Sequence, residues 1–257
     1  MILERRTPGI EPPLRYDLLQ MVLRQTGPFP HDTVVFGVGE NGYPVILELN
    51  QPRAGALCVV ADAHCGQYNL LRTVLYSLTR LNQPENVCFY AISAEDSWLY
   101  PLTQTPHCLG VEAPYRRSVD DLLLHLVDVV EARRAGRRPG PNVLVVLDNL
   151  GEILSHLEAE FQRDVHFLLC EGPAQGIWPL VYVASADGLR LWREWVVLMG
   201  THVCGYLQDP HLAMRLSLDD TPRATALRPG REFGVFTGGR WLRFAIPAFF
   251  DDEISFW

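Results

Sequence analysis

One stretch, residues 55–72, constrains the fold of this chain more than any other. It begins with a short apolar run at 56–60 and breaks into a loop of small residues. Apolar residues then recur at helical spacing from Tyr68 to Leu81, which predicts an amphipathic helix. The stretch therefore predicts a buried strand, a tight loop and a helix in immediate succession.

Strand, loop and helix in this order is the layout of a phosphate-binding P-loop, which needs G-x-x-x-x-G-K-[ST] at the junction. The eight positions are occupied here by Ala61, Asp62, Ala63, His64, Cys65, Gly66, Gln67 and Tyr68. Only the second glycine is retained. All 22 basic residues are Arg, so no lysine elsewhere in the chain can supply the missing ammonium group. Residues 55–72 therefore indicate descent from a P-loop protein more clearly than they indicate what the loop binds now.

Composition narrows the class of protein. A chain of 257 residues that is 48% hydrophobic suits one large α/β domain. A net charge of -8 disfavours nucleic acid and anionic lipid as partners, although a local basic patch could still bind them. No run reaches the ~20 apolar residues of a membrane span, and the N-terminus does not read as a signal peptide. Six cysteines without a C-x-x-C pair indicate free thiols and a cytoplasmic protein.

The chain is predicted to have three segments. Residues 1–32 form an arm and a helix at 15–25, residues 33–250 form the main domain, and 251–257 form a tail. Within the domain we predict a hairpin at 33–38 and 45–49, buried strands at 87–92, 143–147, 180–184 and 203–207, and a closing hairpin at 233–236 and 241–246. Helices are predicted at 118–134, capped by Ser118, and at 153–169, with an irregular loop at 93–115. Apolar strands alternating with helices indicate a mostly parallel sheet covered on both faces.

The strand at 143–147 ends in Asp148, followed by Asn149. This places a carboxylate at the carboxyl end of a buried strand, where a P-loop NTPase holds its Mg²⁺. Asn149 cannot act as a base. An acidic residue in this position is common in α/β proteins, and a structural role for Asp148 stays open beside metal binding.

The order of several short motifs resembles the FtsK/HerA superfamily of hexameric P-loop motors. The matching segments are 36–45 before the loop, 69–72 after it, 141–148, 175–177 with 180–185, 214–217 and 227–230. The resemblance implies a RecA-like α/β fold, with a mostly parallel sheet, helices on both faces and β-hairpins at the N-terminal and C-terminal ends of the domain. It also implies a motor ATPase ancestor.

The departures from this pattern fall on the catalytic positions. Gln67 replaces the lysine, Tyr68 the Mg²⁺-binding hydroxyl residue and Asn149 the glutamate that polarises water. Removing such electrostatic groups typically costs ~3 kcal/mol each in transition-state stabilisation. We therefore expect a pseudo-ATPase with no catalytic residues, no metal and no required cofactor. The vestigial nucleotide-site positions are Ala61, Asp62, His64, Cys65, Gly66, Gln67, Tyr68, Asn69, Asp148 and Asn149.

Alternatives stay open at each feature. The loop could be an ordinary strand-to-helix turn, or its N–H groups could still hold a nucleotide that is not hydrolysed. The basic cluster Arg133, Arg134, Arg137 and Arg138 could complement a helix end or contact a partner or DNA. Phe256 and Trp257 could dock into a partner or pack onto their own domain.

Three functions follow from these features. The first is a structural or regulatory subunit that assembles with copies of itself or with an active paralogous motor. The second is a module that binds protein or peptide through the former nucleotide pocket, with Tyr68 and His64 on the contact surface. The third, DNA binding through the arginine cluster, is disfavoured by the acidic net charge.

Overall fold

The computed structural model describes residues 14–15, 19–20, 23–24, 27–137, 139–218, 220–237 and 239–248. Arg138, Phe256 and Trp257 lie outside these residues, so their roles stay predictions. Among the helices that the structure describes, none combines the length and the apolar character needed to cross a bilayer.

The N-terminal arm returns to the end of the domain. Leu14–Arg15 forms a short strand, β1, that pairs in parallel with Pro247–Ala248. Residues 19–20 and 23–24 are helical, in agreement with the predicted helix, but Arg15 belongs to the strand rather than to the helix. Gln20 Nε2 donates to the hydroxyl of Tyr76 at 3.0 Å, which fastens the arm to the main domain.

A ten-stranded sheet organises the described residues. Its strands are β2 (Thr33–Gly39), β3 (Pro44–Glu48), β4 (Leu57–Ala61), β5 (Val87–Ile92), β6 (Cys108–Glu112), β7 (Asn142–Leu147), β8 (Ile177–Ala184), β9 (Thr201–Cys204), β10 (Glu232–Thr237) and β11 (Arg240–Ala245). The spatial order is β3-β2-β11-β10-β9-β4-β8-β7-β5-β6. The six strands from β9 to β6 are mutually parallel, and the remaining pairs are antiparallel. The Pro247–Ala248 strand, β12, lies in the small sheet with β1.

Helices cover the two faces of the sheet. They are α1 (Gln67–Leu81), α2 (Ser118–Arg134), α3 (Leu150–His156), α4 (Ala159–Glu171), α5 (Ser185–Leu191) and α6 (Pro210–Ser217). Along β4, Leu57 and Val59 pack into the core beneath α1, while Cys58 and Val60 pack into the core beneath α2 and α4. A strand buried on both faces must be apolar at every position, which is why β4, β7 and β8 read as continuous apolar runs. The predicted α/β fold with a mostly parallel sheet is confirmed.

Three predicted elements need correction. The loop predicted at 93–115 contains strand β6, which the pattern missed because this edge strand is only partly buried. The helix predicted at 153–169 is two helices, α3 and α4, because the backbone is extended at Leu157 and Glu158. The strand predicted at 203–207 ends at Cys204.

The hydrogen bonds at the start of α2 also differ from the prediction. The bounds of this helix agree with the prediction, but Ser118 does not cap it: Arg117 occupies the cap position without a side-chain bond. The Ser118 hydroxyl instead donates to the Glu112 carboxylate at 2.5 Å, which ties the helix to the end of β6. The turn between β2 and β3, by contrast, lies at Asn41-Gly42 as predicted, and β10 and β11 pair up to Thr237 and Arg240, on either side of the predicted glycine turn, of which Gly238 lies outside the described residues.

Candidate functional site at the carboxyl end of the sheet

The loop between β4 and α1 retains the backbone path of a strand-to-helix turn. Gly66 has φ +93° and precedes the first residue of α1, with no side chain capping the helix. His64, exposed at the tip, also has a positive φ, +61°. Two left-handed residues in close succession are what turn the chain sharply from strand to helix. Gly66 is the position where the sequence kept the P-loop glycine.

A second segment packs directly against this loop. The N–H of Gly230 donates to the carbonyl of Cys65 at 3.1 Å. A Cβ built at Gly66 would lie 2.9 Å from the Cα of Gly230, closer than side chains normally approach. The 228–230 turn therefore closes one side of the loop, and glycine at position 66 is required by contact as well as by backbone conformation.

Asp62 is bonded to the segment that follows β9. Its Oδ2 accepts the N–H of Gln208 at 2.8 Å, and its own N–H donates to the carbonyl of Tyr206 at 3.0 Å. Asp62 thus holds this segment against the start of the loop.

Tyr68 occupies the position of the magnesium-binding hydroxyl residue with an aromatic ring. The ring stacks on Trp98, with centroids 5.4 Å apart and planes inclined by 19°. Trp98 is fixed in turn, because its carbonyl accepts Arg72 Nε at 2.7 Å and its own Nε1 donates to Ser93 Oγ at 3.3 Å. Such a stack adds about 1 kcal/mol to the burial of the two rings. Tyr68 is therefore a packed side chain.

Asp148 lies at the end of β7 and contacts the residue that ends the neighbouring strand. Its Oδ2 is 2.6 Å from Ser93 Oγ, which is also 2.7 Å from the carbonyl of Glu95. A serine hydroxyl has one proton and can donate to only one of these oxygens. If Asp148 is protonated, its own hydroxyl can donate to Ser93, which leaves the serine proton for Glu95. Protonation of Asp148 would therefore let both contacts of the Ser93 hydroxyl form as hydrogen bonds.

Burial acts in the same direction. Desolvation raises the pKa of Asp148 to about 6, and the charges of Glu152 and Glu95 add to it, while the bonds from Ser93 and Trp98 lower it. Burial also raises the pKa of Tyr68 to about 12, with further contributions from Asp148, Glu95 and Glu152. These carboxylates give the surroundings of the Tyr68 hydroxyl a negative potential.

Asn149 directly precedes α3 and has a left-handed conformation, with φ +64°. Its Nδ2 donates to the Glu152 carboxylate at 3.3 Å. Asn149 thus takes part in a local contact at the start of the helix.

Three buried oxygens of the site have no hydrogen-bond donor among the described residues. They are Oε1 of Gln67, Oδ1 of Asp148 and Oδ1 of Asn149. A buried acceptor without a donor typically costs about 1 to 3 kcal/mol. The described residues thus leave acceptors unsatisfied here, whereas a phosphate site needs donors.

The other vestigial positions are structural. Ala61 ends β4 in the core, where its methyl group packs against the backbone of Gly205. Cys65 is buried, and burial followed by the charge of Asp62 raises its pKa. The carbonyl of Asn69 accepts the hydroxyl of Thr73 at 2.6 Å within α1. The structure describes no group of three or more His, Cys, Asp or Glu side chains placed to hold a metal ion.

The arginine cluster lies at the end of α2. Arg133 is held inside the chain, because its Nη1 donates to the carbonyl of Gln175 at 2.8 Å and its Nη2 to that of Pro141 at 2.6 Å. Arg134 lies 3.7 Å from the Glu171 carboxylate in an exposed ion pair. Arg133 therefore joins the lead-ins of β7 and β8. A partner contact stays a prediction for Arg134 and for the exposed Arg137.

Four residues of the site were not predicted: Ser93, Glu95, Trp98 and Glu152. For Ser93 the sequence held a usable signal. Strands β5 and β7 are parallel neighbours with Ile92 opposite Leu147, so the next residues, Ser93 and Asp148, must lie side by side. Trp98 had no such signal, because a short 3-10 turn at Ser97–Leu99 brings it over Tyr68.

Comparison with known proteins places this geometry in context. No protein-family profile matches the chain, and no curated protein sequence matches it. Among solved structures, the cytoplasmic domain of the type VII secretion ATPase EccC from Thermomonospora curvata superposes with a TM-score of 0.70 at 19% identity, over 86% of this chain and 29% of that one. EssC, ATPases 2 and 3, from Geobacillus thermodenitrificans gives 0.70 at 18% identity, over 89% and 49%.

The conjugation coupling protein TcpA of pCW3, in its monomer form with ATPγS, gives a TM-score of 0.71 at 16% identity, over 88% of this chain and 68% of that chain. The chain thus spans less than half of the EccC and EssC chains that it resembles. The likeness in fold agrees with the order of motifs along the sequence. This chain has the fold of the FtsK/HerA-type motor ATPases.

Proposed function

We propose that this chain is a catalytically inactive domain with the fold of a motor ATPase, acting as a structural or regulatory subunit of a larger assembly. The observation that carries the proposal is the Tyr68–Trp98 stack, in which the residue at the motif position of the magnesium-binding hydroxyl is engaged in aromatic packing. The partners that fit best are copies of this chain or an active motor domain of the same fold.

The residues present do not fit a magnesium nucleotide. Gln67 is buried where a cation would neutralise the phosphates, and its Oε1 is an acceptor that lacks a donor among the described residues. The Glu95, Asp148 and Glu152 carboxylates near Tyr68 would oppose further negative charge. Asp148 is engaged with Ser93, and burial raises its pKa to about 6, so its charged form is disfavoured relative to an ordinary aspartate and it is a weaker metal ligand. Cation, metal ligand and base are all replaced.

The proposal of an assembly rests on how the fold is used in the similar structures. Two of them contain ATPases 2 and 3 of EccC or EssC, so one chain carries several ATPase domains. This chain covers 41% and 49% of those chains. A domain of this fold that cannot hydrolyse ATP can still present the surfaces by which such domains pack on one another.

Calorimetric titration with Mg-ATP tests inactivity at the level of binding. We expect no saturable heat for the full chain or for its Asp148→Ala variant. Sedimentation velocity tests assembly in parallel, and we expect any self-association to be independent of Mg-ATP. Binding or assembly that requires Mg-ATP and is lost in Asp148→Ala, but kept in the exposed control Asp96→Ala, would overturn the proposal.

A second candidate function is peptide binding at the same site. It is favoured by the three buried acceptors that lack donors, since a polypeptide could supply N–H groups to them. In addition, a second similar EccC structure from Thermomonospora curvata, of ATPases 2 and 3, is a complex with a signal sequence peptide. A random-sequence peptide array tests it: binders should be lost in Tyr68→Ala and kept in the exposed control Tyr43→Ala. An array without binders, or with binders that tolerate Tyr68→Ala, would reject this site.

A further inference from the structure

A groove lies at the opposite end of the sheet from the Gly66 loop. Its volume is about 500 Å³, and its walls include Ala54, which precedes β4, and Gly200, which precedes β9. These residues mark the amino ends of parallel strands, whereas the loop lies at their carboxyl ends. The groove extends from there onto β2, β3 and β10, where the sheet becomes antiparallel.

The groove is lined by apolar and polar groups in about equal measure. Phe36, Val203 and Val235 are buried members of the core that also line the groove. Ile46 and Phe236 line it from β3 and β10 and are 38% and 37% exposed. A concave site of this volume is typical of ligand and peptide pockets. Ile46 and Phe236 thus leave hydrophobic surface exposed, which a bound segment would cover.

Two arginines give the groove a positive rim. Arg53 lines it, and Arg240 lies directly opposite Thr237, another lining residue, in the β10–β11 pair. Side chains directly opposite in an antiparallel pair share a face of the sheet. Within the residues that the structure describes, neither guanidinium has a hydrogen bond or an ion pair. The lining also carries one negative charge, that of Glu48, whose carboxylate accepts Gln51 Nε2 at 2.8 Å, so the two arginines outnumber the acidic residues of the lining.

One segment of this chain has the complementary chemistry. Residues 251–257, outside the described residues, read D-D-E-I-S-F-W, three acidic residues followed by an aliphatic and two aromatic side chains. We propose that the groove is the docking site of this segment, with Phe256 and Trp257 between Ile46 and Phe236 and the acidic residues beside the arginines. The proposal is independent of whether the Gly66 loop binds nucleotide.

The connection is long enough to span one strand of the sheet. Seven residues lie between Ala248, the last described residue, and Phe256, and the eight Cα–Cα steps cover ~26 Å when extended. Strand β11 has six residues and spans ~20 Å. The segment can therefore cover the length of β11, and a second copy could receive it in the same way.

Photo-crosslinking of the full chain tests the docking directly. Phe256 is replaced by p-benzoylphenylalanine, a conservative aromatic change, and crosslinked sites are mapped by mass spectrometry after digestion. We expect the crosslinks to map to the groove, on residues of β3 and β10. A gel separates crosslinks within one molecule from those between two copies, and both meet the proposal if they map to the groove.

Charge reversal of the two arginines tests their contribution to docking. The double variant Arg53→Glu and Arg240→Glu should lower the crosslink yield about fivefold, while reversal of the exposed Arg193 should leave it unchanged. The circular dichroism spectrum, recorded for each variant, establishes that it is folded. Crosslinks that map outside the groove, an absence of crosslinks, or a yield that is insensitive to the double reversal in a folded protein would overturn the proposal.

Discussion

The carboxyl and amino ends of the parallel sheet differ in the packing of their side chains. At the carboxyl end, where open α/β sheets usually bind ligands, Tyr68 stacks on Trp98 and the carboxylate of Asp148 is bonded to Ser93. At the amino end, a groove of about 500 Å³ is left with half-exposed apolar walls and an arginine that has no partner among the described residues. Packed and hydrogen-bonded side chains thus lie at one end of the sheet, and an open groove lies at the other.

The charges of the two ends differ as well. Carboxylates gather around Tyr68 and raise its pKa, whereas arginines border the groove. Phosphates would be opposed at the first end and acidic peptides attracted to the second. The contrast teaches that a shared fold does not fix ligand chemistry: the strand-to-helix turn at Gly66 is retained, whereas Tyr68 beside it packs on Trp98.

The largest effect on stability is expected from replacing Gly66, the glycine of the loop between β4 and α1. Gly66→Ala should destabilise the fold by about 3 kcal/mol or more, because a left-handed residue is strained by about 1 to 2 kcal/mol and the new Cβ meets the Gly230 backbone. Gly42→Ala is the matched control: its φ is +79°, but nothing lies within 4 Å, so it should cost about 1 kcal/mol. Equal losses in urea unfolding would show that the 228–230 turn does not pack on the loop.

A pH-dependent effect is expected from Asp148. The folded chain keeps this proton up to about pH 6, whereas the unfolded chain releases it near 3.8. The folded state therefore binds more protons in this window, and its stability should fall as pH rises from 3.8 to 6. The loss is about 2 to 3 kcal/mol at 1.36 kcal/mol per unit of pKa.

Asp148→Asn should remove this loss, because an amide does not ionise, and the variant should be more stable than the parent at pH 7. The exposed Asp96→Asn serves as the control and should follow the parent chain. Urea unfolding at pH 4.5 and pH 7 measures the difference. A parent chain whose stability rises across this window relative to Asp148→Asn would contradict a buried, neutral carboxyl.

The smallest effects compare one aromatic side chain from each end. Tyr68→Ala should cost about 2 kcal/mol, since it removes a half-buried ring and its stack on Trp98. Phe236→Ala should cost under about 1 kcal/mol, because this ring borders an open groove. Thermal unfolding of the two variants ranks them. The reverse ranking would mean that the groove, not the loop, is the packed end.

Much of the fold could be predicted because buried parallel strands are apolar at every position. The strands that contain Val59, Val145 and Val181 were all located from such runs, and Asp148 was located at the end of one. Edge strand β6 was missed because its alternation is weak and its residues are mostly half-buried. A strand leaves a readable apolar run in the sequence only when nearly all of its side chains are buried.

The site was harder to predict than the fold. The substitutions at Gln67 and Tyr68 could be read directly, but not the partner of Tyr68, because Trp98 comes from an irregular segment thirty residues later. The groove had no sequence signal, since strands β3 and β10, which lie far apart in the chain, meet there only through the path of the sheet. Contacts between irregular segments depend on tertiary packing and not on local pattern.

ATP turnover by the purified chain tests the central claim most directly. The full chain, Asp148→Ala and the control Asp96→Ala are assayed together with ATP in the presence and absence of Mg²⁺. The replaced cation, metal ligand and base predict no turnover above the buffer background in any of the three. Mg²⁺-dependent turnover in the parent chain and in Asp96→Ala that disappears in Asp148→Ala would contradict a pseudo-ATPase.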